Sequence, residues 1–553
     1  MSRLSILPYN RKVTIGPGET LLDAIRKAEG IRFETPCNGR GTCGKCKVIV
    51  TEGTLLPPTA SELKALTDEE VEAGYRLACC ARPADAVSDG SGRDEAEEGL
   101  VIELPQKEEK AVVLADADYH REVVDPLFTQ KGESGVGIAV DIGTTTVAAV
   151  LLDLESGDTL ARTSAINPQT EVGGDVLSRI AYTIANPDSG LKKCQSLIVD
   201  ALNIMTDDLL SESGRPLDDL KGYSIAANCT MLHLLLGVDP QSLARAPFTP
   251  VFTEGQMMTA GEIGLCPAKP EAGLYCLPSV SAYIGADIVA GIHMSGISHT
   301  DKNIMFIDIG TNGEIVLSKK GELYACSCAA GPAMEGMNIS CGMRAAEGAI
   351  ESVRYDEETG KVTVGVIGDT AVPSGICGSG VLESVAMLLR TRGIDKNGKI
   401  APEGSLIASE FFREGKEKGY YLWRGEGGKA VSFSQADVRQ IQLAKGAILS
   451  GFMALVEKSG LTFDELDEVI IAGQFGAHLK AETLADIGIL PGETRNRVRY
   501  IGNSSLAGAI SVFLDRRLVD VYEGLRQGVD YMELGAYKGY SNLFMACIPF
   551  PEQ

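Results

Sequence analysis

Residues 138–152 read IAVDIGTTTVAAVLL, and residues 305–318 read MFIDIGTNGEIVLS. In both, an apolar run leads into Asp-Ile-Gly-Thr and a second apolar run follows. That pattern predicts a buried strand, a tight turn and a returning strand. The two aspartates, Asp141 and Asp308, are 308 − 141 = 167 residues apart. A strand–turn–strand unit repeated at domain spacing predicts two similar α/β lobes facing each other. A third apolar run, Val469-Ile470-Ile471-Ala472, ends in Gly473-Gln474-Phe475-Gly476.

An Asp-x-Gly-Thr turn at a strand end suits a phosphate. Glycine lets the backbone approach closely, and amide N–H groups and the threonine hydroxyl donate to phosphate oxygens. The aspartate is placed to orient hydrated Mg²⁺ or an attacking water. One such turn is commonplace as a hairpin; two at lobe spacing are not. With the glycine-ended third strand, they resemble the actin, Hsp70 and sugar-kinase superfamily of two-lobed ATPases. The resemblance implies that Asp141 and Asp308 are catalytic. It implies that Gly143, Thr144 and Thr145, and opposite them Gly310, Thr311 and Asn312, clamp the phosphates of ATP, and that Gly473 and Gly476 receive its adenosine. That superfamily has paired glycines where this chain has Gly473-Gln474. Gly378-Ser379-Gly380 reads either as a nucleotide-facing loop, through Gly378 and Gly380, or as a tight turn. Residues 393–400 nearly spell a Walker A loop. Ile400, however, stands where a hydroxyl should hold magnesium, and 395–399 reads as a turn between strands.

Five of the 14 cysteines fall in the first 80 residues: Cys37, Cys43, Cys46, Cys79 and Cys80. In a reducing compartment they are poor material for disulfides, and crowding at one end predicts a metal site there. The spacing Cys37-x5-Cys43-x2-Cys46, then Cys79, suits four thiolates wrapped around one small iron–sulfur cluster. Gly39, Gly41 and Gly44 let the backbone fold tightly and turn amide N–H groups toward the sulfurs. The alternative is structural zinc, which favours paired knuckles where this chain has one. The segment resembles variant [2Fe–2S] ferredoxins whose fourth ligand lies in Arg-Leu-Ala-Cys, here Arg76-Leu77-Ala78-Cys79. That resemblance implies Cys37, Cys43, Cys46 and Cys79 as ligands and leaves Cys80 out. Strands are expected at 3–8, 11–16, 46–51 and 100–104, with a helix over 21–28 capped by Thr20. Residues 1–105 thus fit a β-grasp ferredoxin domain, interrupted by an acidic run at 84–99 expected to be a mobile, solvated loop.

The 553 residues include 51 basic and 75 acidic side chains, so the formal charge is 51 − 75 = −24. A surface this acidic repels nucleic-acid phosphates. Hydrophobic residues at 44% and charged residues at 23% mark a globular chain. No apolar run reaches the ~18 residues that span a bilayer, and residues 1–12 lack the pattern of a secretion signal. The expectation is a soluble cytoplasmic protein with no nucleic-acid or membrane partner. The expected fold class is multidomain, α+β then α/β: a β-grasp [2Fe–2S] ferredoxin domain, then a two-lobed actin-like ATPase with duplicated ribonuclease-H-like lobes. The expected boundaries are 1–105 for the ferredoxin domain, 106–135 for a linker, 136–303 for the first lobe and 304–553 for the second, which carries the adenosine segment.

Further blocks narrow the reading: Asn167-Pro168-Gln169, residues 231–237, residues 326–336, residues 339–343 and residues 375–380. With the ferredoxin module, they make the chain similar, along nearly its whole length, to the reductive activators of corrinoid proteins. The resemblance implies an ATP-dependent activase. It would pass one electron through the cluster to return an inactive Co(II) corrinoid to Co(I), in the corrinoid protein of a methyltransferase or O-demethylase system. A low-potential donor would reload the cluster; the reading allows a homodimer. Some relatives carry 4Fe–4S clusters near the C-terminus, but here Cys547 is the only cysteine beyond Cys377. The energetics are adequate. A nucleotide that biases a two-state protein by about 5.5 kcal/mol shifts populations about 10⁴-fold. For one electron that equals roughly 240 mV.

Three rival functions fit parts of the sequence. An activator of 2-hydroxyacyl-CoA dehydratases would share the ATPase fold but lack residues 1–105. A chaperone-like, nucleotide-dependent binding protein would use the cluster to sense redox state. A sugar kinase would have no task for a redox domain. Cys326 and Cys328 alternate on one strand face and read as small core residues. Ser327 and Ser340 either face the corrinoid or bond their own turns. His233, in an apolar run, reads as a core histidine.

Overall fold

Alternating apolar residues build the N-terminal sheet. Ser2–Leu7 (β1) pairs antiparallel with Arg11–Ile15 (β2), and Lys47–Glu52 (β3) with Tyr75–Leu77 (β4). Leu100–Glu103 (β5) lies between β1 and β3 and runs parallel to β1, giving the order β2-β1-β5-β3-β4. Leu4, Ile6, Val48, Leu77 and Ile102 close a core against Leu21, Leu22 and Ile25 of helix Leu21–Ile25. Thr20 caps that helix: its Oγ1 accepts the Asp23 N–H at 3.2 Å, and the Asp23 carboxylate accepts the Thr20 N–H at 2.9 Å. This is the β-grasp arrangement.

The computed structural model describes residues 2–9, 11–16, 18–28, 31, 33, 39, 41, 44, 46–84, 99–104, 117–368, 371–425, 429–473 and 479–552. Cys37, Cys43, Gln474, Gly476 and most of the acidic run at 84–99 lie outside the described residues. By its contacts the chain divides into two compact units, 1–108 with 168–197, and 109–167 with 198–553.

One buried ion pair fixes β4. Arg76 Nε donates to Glu62 Oε1 at 2.8 Å and Nη2 to Oε2 at 3.2 Å, and Glu62 has no exposed surface. Burial opposes charge on Glu62. The bonds from Arg76 and from the Thr59 and Leu77 N–H groups outweigh it and hold the carboxyl below its ordinary range. Arg76→Ala should leave that charge unpaired and cost about 3–5 kcal/mol. Denaturant unfolding followed by amide exchange in β1–β5 should show the loss; a cost below about 1 kcal/mol would contradict it.

In the second unit, Val136–Ile142 (β6), Thr146–Asp153 (β7), Thr159–Ile166 (β8), Leu220–Ala227 (β9), Gln256–Thr259 (β10) and Gly273–Cys276 (β11) form one sheet, ordered β10-β11-β9-β6-β7-β8. Asn303–Ile309 (β12), Gly313–Lys319 (β13) and Glu322–Cys328 (β14) open the next. Two small sheets intervene. One is Ala349–Asp356 (β15), Lys361–Val366 (β16) and Gly375–Ile376 (β17); the other is Phe411–Glu414 (β18), Glu417–Arg424 (β19) and Ala430–Ser434 (β20). Glu468–Ala472 (β21), Val498–Tyr500 (β22) and Val529–Tyr531 (β23) then complete the order β22-β21-β12-β13-β14-β23. The antiparallel run β6-β7-β8 with β9 parallel to β6 recurs as β12-β13-β14 with β21 parallel to β12. The duplication read from the two Asp-Ile-Gly-Thr segments is therefore a duplication of topology.

Helices Ala286–Ser295 and Ser504–Leu514 pack on each other, and the latter also packs on β6 and β9 of the first sheet. The described part of 106–135 is held in the same way. The Val124 N–H donates to the Leu514 carbonyl at 3.1 Å and the Leu127 N–H to that of Phe513 at 3.0 Å. The Phe128 ring lies over Gly222 and Gly273, neighbours across β9 and β11, where a Cβ would fall 2.6 and 2.4 Å from it.

Candidate functional site

The two predicted turns end β6 and β12. Asp141 Oδ2 accepts from Asn503 Nδ2 at 2.8 Å and Oδ1 from Ser505 Oγ at 2.7 Å. Both donors stand at the start of helix Ser504–Leu514, which Asn503 caps through the Leu506 N–H at 2.9 Å. The first lobe's aspartate is thus oriented by the C-terminal half. Asn167 braces the turn that follows: its side-chain amide donates to the Gly143 carbonyl at 2.8 Å and its N–H to that of Thr145 at 2.8 Å. Asn228, N-cap of helix Cys229–Leu235, donates to Thr144 Oγ1 at 3.1 Å.

In the second turn, the Gly310 N–H closes on the Asn312 carbonyl at 2.9 Å. Gly473, at the end of β21, has φ +89°, and a Cβ there would lie 2.6 Å from Asp308 Oδ1. Glycine is required at that position both by the left-handed backbone and by the aspartate. The structure therefore brings Asp141, Asp308, the two threonine turns and Gly473 together. Gly378 and Gly380 begin helix Gly378–Arg390, and a Cβ at 380 would fall 2.1 Å from the Ile350 carbonyl oxygen. Packing of this helix on β15 already accounts for glycine at 380.

Three carboxylates not anticipated from the sequence join the two aspartates. Asp287 lies in the first turn of helix Ala286–Ser295, Glu314 stands opposite Asp308 in the β12–β13 register, and Glu335 ends the short turn Pro332–Glu335. All five keep one edge open while protein fills most of their surroundings. Burial, then the charges of Asp308 and Asp141, push Asp287 up to about 7; burial, then Asp141 and Glu335, push Asp308 up to about 7. Glu314 is raised by burial and by Asp287 and Asp308; Asp141 and Glu335 are raised by burial, against the hydrogen bonds they accept. Like charges directly across a strand pair are destabilising, so this concentration marks a working site. Among the described residues, no three Asp, Glu, His or Cys side chains are grouped tightly enough to enclose a metal ion directly. Asp141 and Asp308, at the two strand ends, fit Mg²⁺ held through its water shell.

The raised values fix a sign. Folded Asp287 and Asp308 retain protons that the unfolded chain loses near pH 4, so folding stability falls as pH rises from about 4 to about 7 and then levels. Asp287→Asn removes one contributor. Its melting temperature should gain on the wild type progressively across that window, with the gain constant above it. A difference independent of pH would contradict the assignment.

In the ferredoxin domain, Cys46 and Cys79 are buried, with their sulfurs 3.2 Å apart. Gly39, Gly41 and Gly44 all have positive φ, and a Cβ at Gly39 would meet Leu22 at 3.2 Å and Cys79 at 3.7 Å. Converging thiols beside three positive-φ glycines fit a small cluster. Burial, reinforced by Cys79, pushes the Cys80 thiol up to about 11.

The remaining residues fall into the framework. Cys326 and Cys328 are core, with thiols against the Gly451 carbonyl at 3.6 Å and the Gly313 carbonyl at 3.1 Å. His233 is fully buried, bonds the Cys229 carbonyl oxygen through Nδ1 at 2.8 Å, and accepts the Val251 N–H at Nε2 at 3.2 Å. Ser340 is exposed, and its Oγ donates to Asp437 at the start of helix Gln435–Ser459; Ser327 pairs with Glu314 across β13–β14. The Walker-like segment is a turn closed by the Asp395 N–H on the Lys399 carbonyl at 3.0 Å. No helix among the described residues is long and apolar enough to cross a membrane.

Comparison with known proteins matches residues 5–84 to the 2Fe-2S iron-sulfur cluster binding domain, 136–300 to the RACo middle region, and 302–553 to the C-terminal domain of RACo, the ASKHA domain. The corrinoid activation enzyme RamQ of Eubacterium limosum is 34% identical over 432 residues, 76% of this chain and 72% of that protein. The [Co(II) methylated amine-specific corrinoid protein] reductase of Methanosarcina barkeri is 27% identical over 440 residues, 74% of this chain and 76% of that protein. The solved structure of a reductive activator for corrinoid, iron-sulfur protein superposes with a TM-score of 0.69 at 30% identity, covering 100% of this chain and 98% of that one. A ferredoxin domain, a duplicated lobe with facing aspartates and relatives matched over about three quarters of the chain or more agree: the chain belongs to the family of reductive activators of corrinoid proteins.

Proposed function

We propose that this protein is an ATP-dependent activase that reduces the Co(II) corrinoid of a methyltransferase or O-demethylase corrinoid protein to Co(I). The observation that carries the reading is the joint presence, in one chain, of the converging Cys46–Cys79 pair and the facing turns of Asp141 and Asp308. The chain's likeness to the Eubacterium corrinoid activation enzyme and the Methanosarcina Co(II) corrinoid protein reductase supports it.

Residues 1–105 hold a [2Fe–2S] cluster through Cys37, Cys43, Cys46 and Cys79. That group accepts and releases one electron at a time. Arg76 and Glu62 keep the strand ahead of Cys79 rigid, and Cys80 stays protonated beside it. Residues 136–303 and 304–553 are the two lobes, with 106–135 joining them to the ferredoxin domain. Gly143, Thr144 and Thr145 donate to the phosphates of ATP from one side, and Gly310, Thr311 and Asn312 from the other. Asp141 and Asp308 orient the waters of Mg²⁺, Gly473 and Gly476 seat the adenosine, and the helix start at Gly378 and Gly380 flanks it. Lobe closure on ATP favours a grip on the partner that makes cobalt reducible. When bound there, the cluster would supply one electron to the partner's Co(II), and a low-potential donor would reload it. Such thiol-dependent chemistry belongs in the cytoplasm.

The test is anaerobic mixing of the protein with a Co(II) corrinoid protein and Ti(III) citrate, with and without MgATP. Co(I) absorbance should rise only with MgATP. Equal rates in both mixtures would refute ATP dependence, and no Co(I) in either would refute the activity.

A further inference from the structure

Thr311 Oγ1 donates to Glu335 Oε1 at 3.0 Å, and Thr145 Oγ1 donates to Glu335 Oε2 at 3.4 Å. One carboxylate therefore takes the side-chain protons of both phosphate turns, one from each lobe. It also sits close to the second turn's backbone, for a Cβ at Gly310 would lie 3.9 Å from Oε1. A threonine hydroxyl has one proton and donates to one acceptor at a time. A phosphate that takes either proton must take it from Glu335. If it takes both, the carboxylate loses two donors in a cleft it shares with Asp308, with the attraction of Arg344 left to offset part of the loss, which is unfavourable unless the side chain leaves.

Departure of Glu335 has to loosen the packing of Ala333 and Met334, which are buried in the core beside it. Glu335 ends the turn Pro332–Glu335, which is bounded by Gly331 at φ +75° and Gly336 at φ +84°. Downstream, Ser340 is tied to the start of the 25-residue helix Gln435–Ser459 by its Oγ and by its N–H on Asp437 Oδ1 at 2.8 Å. A displaced Glu335 thus pulls on a short segment anchored at its far end.

We propose that Glu335 is an internal competitor of the nucleotide phosphates: it bridges the two lobes through Thr145 and Thr311, and ATP binding expels it and releases the segment 331–343. The inference rests on the phosphate-turn reading above and adds a residue whose role is opposite to that of Asp141 and Asp308. A carboxylate that holds Mg²⁺ waters strengthens nucleotide binding; one that competes for the turn hydroxyls weakens it.

The sign of one substitution separates the two roles. Glu335→Gln keeps shape and folding but removes a charge and weakens the acceptor. Calorimetric titration with MgATPγS should show about tenfold tighter binding than wild type, equivalent to about 1.4 kcal/mol. Amide exchange over 331–343 should speed up in the wild type on adding MgATPγS, and should be fast in the variant without it. Weaker or unchanged affinity in the variant overturns the proposal and assigns Glu335 to ion binding or framework. Wild-type exchange at 331–343 unaltered by a nucleotide that binds also overturns it, with no variant needed. Failure of the wild type to bind MgATPγS would sink the phosphate-turn reading itself, and this inference with it.

Discussion

Asp141→Asn and Asp308→Asn are each expected to slow ATP-driven reduction of a Co(II) corrinoid protein by about 10²–10⁴-fold, the usual loss for a positioned acid–base or charge-bearing group. Both asparagines preserve side-chain shape. Asp141 accepts from Asn503 and Ser505, so its asparagine loses one good acceptor and the charge. Asp308 Oδ1 lies under Gly473, where an added Cβ would come within 2.6 Å of it. The measurement is Co(I) formation at saturating MgATP, with the cluster's visible spectrum recorded on the same sample. Rates within about threefold of wild type, a change of under 1 kcal/mol, would remove the aspartates from the mechanism.

Cys79→Ala is expected to abolish the cluster, its colour and all cobalt reduction, whereas Cys80→Ala leaves all three intact. The neighbours differ in environment. Cys79 is buried with its sulfur 3.2 Å from that of Cys46, while Cys80 is partly exposed and its thiol is pushed up to about 11. The sulfur that converges on Cys46 is the one placed to share an iron with it. Iron content and visible absorbance of the two variants check this. Loss of the cluster in Cys80→Ala with retention in Cys79→Ala would reverse the assignment. ATP hydrolysis should survive Cys79→Ala, because the contacts described at the two phosphate turns come from residues 141–505.

The sequence carried the repeated hairpins plainly because each strand is a long apolar run ending at a glycine turn. β4 and the helix Glu62–Ala65 were not legible: three or four residues are too few to show a period, and the Glu62–Arg76 pair that organises them forms across the fold. The carboxylate cluster was hidden for a different reason. Aligned by their Asp-Ile-Gly-Thr segments, Glu314 matches Val147. In the structure Ile142 pairs with Val147 and Ile309 with Gly313, so the second loop is one residue shorter. That slip places Glu314 opposite Asp308, where the first lobe has Ala148 opposite Asp141. Asp287 and Asn503 stand at helix starts, where polar residues ordinarily serve as caps, and nothing local distinguishes them. Glu335 reaches the cleft only because β14 ends there. Its block, 326–336, was visible as a family marker, but its contact with Thr145 joins residues 335 − 145 = 190 apart.

The central claim is that ATP drives one electron from the cluster to cobalt. Stopped-flow spectroscopy tests it by mixing the protein, pre-reduced and freed of excess reductant, with a Co(II) corrinoid protein. With MgATP, the account predicts that the reduced-cluster signal decays and Co(I) appears at the same rate and in equal amounts. Without nucleotide it predicts neither change. Co(I) forming without cluster oxidation, or at the same rate when ATP is withheld, would contradict it.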